Sequence, residues 1–94
     1  MSDRHLHQAL RRERAREQLA SLQPGGSSSR TIEVASAAVI EPRAATMPCP
    51  HCGGLYRIQE HTRPVPGLRK VDVTCRQCST ARSLWFRIVV DEPN

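Results

Sequence analysis

The four cysteines of this chain form two C-x-x-C pairs, and thiolates at this spacing are typical metal ligands. The first pair is Cys49 and Cys52, the second is Cys75 and Cys78, and 22 residues separate the two pairs. Each pair can place two sulfurs at one tight turn, so the two pairs together predict a tetrahedral zinc site with four thiolates. Because four sulfurs fill the coordination sphere, we expect the zinc to be structural, with no open position for a catalytic water.

Other uses of the same cysteines stay open from the sequence alone. Iron takes the same four ligands in a rubredoxin-like centre. Two disulfides would suit a secreted protein, and a reactive dithiol would suit a redox enzyme. The chain starts polar and has no apolar run of the ~20 residues that a membrane span needs, so we expect a cytoplasmic protein without a membrane partner. His51 lies inside the first pair, and we expect it to be exposed rather than a ligand.

Short strands flank the two cysteine pairs and would position them. Apolar and polar residues alternate around Val71 and Val73, and again around Leu84 and Phe86, as in strands with one buried face. We predict strands over residues 55–61, 68–74 and 81–90, with a Pro- and Gly-containing turn at 62–67. So small a sheet buries few apolar side chains, and a metal ion would supply the missing stability.

Residues 47–90 resemble the zinc ribbon, a three-stranded antiparallel sheet in which two cysteine turns hold one zinc. The first pair has the C-P-x-C-G form seen often in that family, and small bacterial ribbon proteins have a similar last strand. The resemblance implies that Cys49, Cys52, Cys75 and Cys78 bind the zinc, and it implies no activity. Ser79 stands where many ribbons have glycine, so we expect the second turn to be strained or closed differently.

The first half of the chain divides into three segments. Residues 1–22 lack Gly and Pro and predict a charged helix, which the Gly- and Ser-rich residues 23–30 would join to the rest as a flexible linker. Residues 31–41 alternate in a way that favours an added strand, ended by Pro42, although their alanines would also tolerate a helix. This strand would cover an edge of the sheet or dock to a partner by strand addition.

The formal charge of +5 is concentrated on residues 47–90, which carry seven basic and two acidic residues. A basic zinc module with aromatic side chains suggests a nucleic-acid-binding accessory protein of transcription or translation, with DNA or RNA as partner. The candidate surface consists of the basic residues and the tryptophan on the predicted strands and turns: Arg57, Arg69, Lys70, Arg76, Arg82, Trp85 and Arg87.

A protein-interaction adaptor is the alternative, docking on a larger complex through the ribbon and the N-terminal helix. The helix, the predicted strand at 31–41 and Trp85 would be its contact sites. We expect no enzyme and no small-molecule substrate, because the sequence offers no nucleophile with its base, no paired carboxylates and no phosphate-binding loop.

Overall fold

Residues 3–89, the part of the chain that the computed structural model describes, are organised around one four-stranded mixed sheet. The elements in chain order are α1 (Asp3–Leu22), β1 (Ile32–Val34), a 3-10 turn (Ala37–Val39), α2 (Ile40–Thr46), β2 (Tyr56–Val65), β3 (Leu68–Cys75) and β4 (Ala81–Ile88). The strand order is β1-β4-β3-β2; β2, β3 and β4 are antiparallel neighbours, and β1 runs parallel to β4. Val90, predicted to end the last strand, lies outside the described residues.

The sheet has one buried face, called here the inner face, and one open face, called the outer face. Residues directly opposite each other on β3 and β4 share a face, so Val71 with Leu84 is an inner pair and Lys70 with Trp85 an outer pair. The helix α2 packs on the inner side through Ile40 and Ala44. The core of the described chain comprises Ile32, Val34, Ile40, Ala44, Cys49, Tyr56, Val71, Val73, Cys75, Leu84 and Phe86. Two metal-ligand candidates are therefore part of the apolar core.

The added strand predicted over residues 31–41 is much shorter in the structure. It forms over three residues, Ile32–Val34, and the chain then turns into α2. Pro42 does not end a strand but lies in the first turn of that helix, where its missing N–H leaves no hydrogen bond unmade. Ile40, which the alternation assigned to the strand, instead lies one helical turn before Ala44 on the buried side of α2.

The N-terminal helix forms as predicted, but the segment after it differs from the flexible linker that its composition indicates. Gly25 accepts a backbone hydrogen bond from Trp85 at 2.9 Å, and residues 23–30 form further hydrogen-bonded turns. Ala20 near the end of α1 is buried. The helix is therefore held against the sheet at its C-terminal end. No helix among residues 3–89 is long and apolar enough to cross a membrane.

The strand β2 runs four residues further than predicted, to Val65, so the turn before β3 is shorter than expected. Pro64 is tolerated in it because β2 is an edge strand, where one N–H in two faces outward and needs no partner in the sheet. The pairing of β2 with β3 also shifts register between Ile58 and Glu60. This bulge adds Gln59 to the strand beside the second cysteine pair.

Candidate metal centre

The four cysteine sulfurs converge on one point at the end of the sheet. All four Sγ atoms lie within 4.8 Å of one another, with Cys49 and Cys78 at 3.7 Å and Cys52 and Cys75 at 3.4 Å. A tetrahedral zinc with Zn–S bonds of about 2.3 Å requires sulfurs about 3.8 Å apart. All four cysteines are free thiols and none is in a disulfide. The donor set therefore fits one metal ion with four thiolate ligands.

Two turns with the same backbone hydrogen bonds present these sulfurs: the first knuckle, residues 49–54, and the second knuckle, residues 75–80. In the first, the Cys49 N–H donates to Gly54 at 2.8 Å and the Gly53 N–H donates to Cys49 at 2.7 Å. In the second, Cys75 donates to Thr80 at 2.9 Å and Ser79 donates to Cys75 at 3.0 Å. Each knuckle buries its first cysteine and exposes its second.

Ser79 closes the second knuckle in the same way that Gly53 closes the first. Gly53 has a φ of 77° and Ser79 a φ of 63°, and Ser79 is the one non-glycine residue with positive φ among residues 3–89. Of the two expected outcomes, a strained turn or a different closure, the structure shows the strained turn. A side chain in the left-handed region costs about 1–2 kcal/mol.

Gly54 is required for a reason other than its φ. A Cβ at this position would lie 3.0 Å from the Cys75 Sγ and 2.9 Å from the Gln77 Cβ. The glycine therefore lets the first knuckle approach a sulfur of the second. Its N–H also donates to the Cys52 Sγ at 3.4 Å.

Hydrogen bonds lower the pKa of both thiols in the second knuckle. The Thr80 hydroxyl, 3.1 Å from the Cys78 Sγ, and the Thr80 backbone lower the pKa of that thiol to about 6. Backbone N–H groups of Cys78 and Gln77 lower the pKa of Cys75. At Cys52 the Gly54 N–H favours the thiolate, but proton sharing with the other sulfurs outweighs it and raises the pKa to about 12. A divalent ion would replace the shared protons when it binds.

A carboxylate on α1 joins the first knuckle to the sheet, and no pattern in the sequence predicts this contact. Glu17 lies 2.9 Å from the His51 Nε2 through one oxygen and accepts a 2.6 Å hydrogen bond from Arg82 through the other. Burial alone would raise the pKa of Glu17, but these two partners outweigh it and lower the pKa. His51, predicted to be exposed, is half-buried. Its ring is not part of the group of donor atoms that the four cysteines form.

Two residues of the predicted partner surface are not on an open surface. The Arg82 side chain is 7% exposed and is paired with Glu17. Arg69 lies opposite Phe86 on the inner side, with its guanidinium 3.4 Å from the His61 Nε2. Strand parity explains the error: both residues alternate with outward-facing neighbours, and their positive charge alone suggested exposure.

The other predicted surface residues lie on the outer face or beside it. Lys70 lies over the Trp85 ring at 5.7 Å from its centroid and 3.8 Å from Asp72. Arg57 and Arg87 are exposed on β2 and β4, Arg87 directly opposite Glu33 in the register with β1. Arg76 is exposed in the second knuckle. The candidate surface is therefore reduced to Arg57, Lys70, Arg76, Trp85 and Arg87.

No protein-family model, curated protein sequence or solved structure gave a significant match to the chain.

Proposed function

We propose that the protein is a non-enzymatic zinc ribbon module that binds nucleic acid through the outer face of its sheet. The convergence of four free sulfurs within 4.8 Å carries the metal part of this proposal. Zinc bound to Cys49, Cys52, Cys75 and Cys78 would tie the first knuckle, next to β2, to the second knuckle, between β3 and β4. Its four sulfur ligands would leave no open coordination position for a substrate, so the zinc would stabilise the sheet and take no part in catalysis.

The nucleic-acid part of the proposal is supported by the composition of the outer face. Trp85 is half-buried on the outer face, and the Lys70 Nζ lies over its ring, 5.7 Å from the centroid. Aromatic rings with neighbouring cations bind unpaired bases by stacking and the adjoining phosphates by charge. The open side of a small sheet is a common shape for such contacts. We therefore propose single-stranded DNA or RNA as the partner.

The single tryptophan makes this proposal directly testable, because its fluorescence comes from the proposed contact itself. We expect quenching when an unstructured oligonucleotide is added at low salt, with affinity that falls as salt rises. Trp85→Leu should weaken binding, measured by anisotropy of a labelled oligonucleotide, by about tenfold or more. Absence of binding at low salt by the zinc-loaded wild-type protein would contradict the nucleic-acid proposal and leave the metal proposal standing.

A second candidate function, docking on a larger protein complex, is favoured by the exposed apolar side of α1. Leu19 and Leu22 are 63% and 57% exposed, and with Ala15 they recur at the spacing of one helical side. A Leu19→Ser, Leu22→Ser variant should lose a protein partner that the wild type retains in quantitative co-purification, while its oligonucleotide affinity stays unchanged. Identical co-purification profiles would exclude this use of the helix.

A further inference from the structure

A cleft of about 230 Å³ lies beside the second knuckle, on the outer side of β2 and β3. Its lining is polar apart from the ligand cysteine that forms one wall: Arg57, Gln59, Thr74, Cys75, Arg76 and Ser79. We propose that this cleft binds one backbone phosphate of a single-stranded nucleic acid. The inference rests on the proposed function and assigns the position of a phosphate contact within it.

Sheet geometry brings the two arginines of the cleft together. Arg57 is directly opposite Thr74 in the register of β2 with β3, and Arg76 is two residues beyond Thr74. Residues in this diagonal relation lie about 7–8 Å apart at Cα, within reach of two long side chains converging on one ligand. The Arg76 N–H donates to the Leu55 carbonyl at 2.9 Å, which holds the second knuckle against the start of β2.

Both guanidinium groups are free to accept an anion. Arg57 and Arg76 are exposed, and neither forms an ion pair with any of the acidic side chains that the structure describes. The hydroxyls of Thr74 and Ser79 and the amide of Gln59 add donors to the lining. Guanidinium groups bind phosphate oxygens in bidentate fashion, so this set of donors suits a phosphate better than an uncharged apolar ligand.

A purely structural use of the same arginines would be to offset the negative charge of the thiolates. The hydrogen bonds to the Cys75 sulfur come from backbone N–H groups instead, those of Gln77 at 3.4 Å and Cys78 at 3.5 Å. No arginine donates to a cysteine sulfur in the described part of the chain. The arginine pair is therefore available to an external anion.

The charges on the outer face indicate the path that a bound single-stranded nucleic acid would follow. Glu60 and Asp72 face each other in the middle of the face, and they separate the cleft from Lys70 and Trp85. The distance along β3 from Thr74 to Lys70 is about 13 Å at strand rise. A single strand would therefore place a phosphate in the cleft, pass base edges rather than phosphates over the acidic middle, and stack a base on Trp85.

The test compares two double variants that remove the same charge. Arg57→Gln with Arg76→Gln empties the cleft of cations, and Arg43→Gln with Arg63→Gln removes two exposed arginines elsewhere. Each zinc-loaded protein is titrated with a labelled single-stranded oligonucleotide over a range of salt. We expect the cleft variant to lose affinity about tenfold and its slope of log K against log salt to become shallower by about 0.7, the change for one phosphate on a single strand. The control pair should keep both values.

Several results would contradict a phosphate site in the cleft, and each of them differs from the result that would contradict the proposed function. Wild-type affinity in the cleft variant, or equal losses in both pairs, would show that the cleft holds no phosphate although the protein binds nucleic acid. Loss of zinc from the cleft variant would assign the arginines to the thiolates. A nucleoside monophosphate that competes at the same concentration as the oligonucleotide would identify a small ligand instead of a chain. Absence of wild-type binding would remove the proposed function itself.

Discussion

The two knuckles have the same backbone hydrogen bonds and the same C-x-x-C pair of cysteines but different surroundings. The first ends in Gly53 and Gly54 and contacts α1 through the hydrogen bond between Glu17 and His51. The second ends in Ser79 and Thr80 and stays open beside the arginine cleft. The cysteines and the shared turn therefore determine where the four sulfurs converge, whereas the residues between and after them determine what each knuckle touches. One knuckle anchors the helix, and the other presents a surface.

The largest effect should follow from removing a buried ligand. Cys75→Ser places a hydroxyl in the apolar core and leaves three sulfurs, whereas Cys52→Ser changes an exposed position that water can fill. Structural zinc contributes about 10–16 kcal/mol, which equals or exceeds the whole stability of a small domain. We expect Cys75→Ser to lose zinc and cooperative unfolding together, and Cys52→Ser to retain weakened zinc binding. Zinc content and thermal unfolding measure both, and a folded Cys75→Ser variant would contradict a structural role for the metal.

Gly54→Ala should show that the first knuckle needs its small residue for the contact with the second. The added methyl would meet the Cys75 sulfur at 3.0 Å, so the knuckles must separate. We expect zinc affinity, measured by competition with a chelator, to fall about tenfold or more, equal to about 1.4 kcal/mol. Thr80→Ala at the matching position removes only the hydrogen bond to Cys78 and should cost less. Equal losses at the two positions would show that close approach is not what Gly54 provides.

Glu17→Gln should loosen α1 from the first knuckle without removing the metal. Charge-assisted hydrogen bonds to His51 and Arg82 are lost. Because Glu17 is half-exposed, we expect the contact of α1 with the rest of the protein to be weakened by only about 1 kcal/mol. Amide exchange in the last two turns of α1 should become about fivefold faster. Glu60→Gln, an exposed position with the same charge change, serves as the control. Unchanged exchange in Glu17→Gln would show that the helix is held by other contacts.

Exchanging the closing residues of the two knuckles should have the smallest effect. Ser79→Gly relieves the left-handed strain but raises the conformational entropy of the unfolded chain. We therefore expect the free energy of unfolding to rise by about 0.5 kcal/mol. Gly53→Ser should cost about 0.5 kcal/mol by the reverse reasoning, because open space surrounds Gly53 and no clash adds to it. The thermal unfolding midpoint should therefore shift by about 2–4 °C, upward for Ser79→Gly and downward for Gly53→Ser. Destabilisation by Ser79→Gly would mean that the serine side chain makes a contact of its own.

The cysteine spacing was sufficient to predict that the four sulfurs come together, because each C-x-x-C pair forms a tight turn that presents two sulfurs. The alternation around Val71 and Leu84 likewise predicted β3 and β4, since period-two patterns persist where one face is buried. The segment at residues 31–41 misled for a physical reason: a few apolar residues fit a short strand and one helical turn equally well. Glu17 could not be predicted at all, because its two partners are 34 and 65 residues away in the chain.

Charge was the least reliable guide to the surface. Arg82 and Arg87 share a strand and a charge, yet Arg82 faces the inner side and Arg87 the outer side. Alternation along β4 could have separated them, since Leu84 and Phe86 mark the buried parity. A combination of strand parity with charge would have reduced the candidate surface to its outer-face members.

The central claim is that the four cysteines bind one zinc ion. The number of sulfur ligands on the bound metal tests this claim most directly. X-ray absorption at the zinc edge, combined with elemental analysis of the purified full chain, counts the metal and its ligands. Two knuckles acting as one site predict one zinc per chain with four sulfur ligands at about 2.3 Å, and unfolding when the zinc is chelated. A chain that stays folded without metal, or a metal with fewer than four sulfurs, would contradict it.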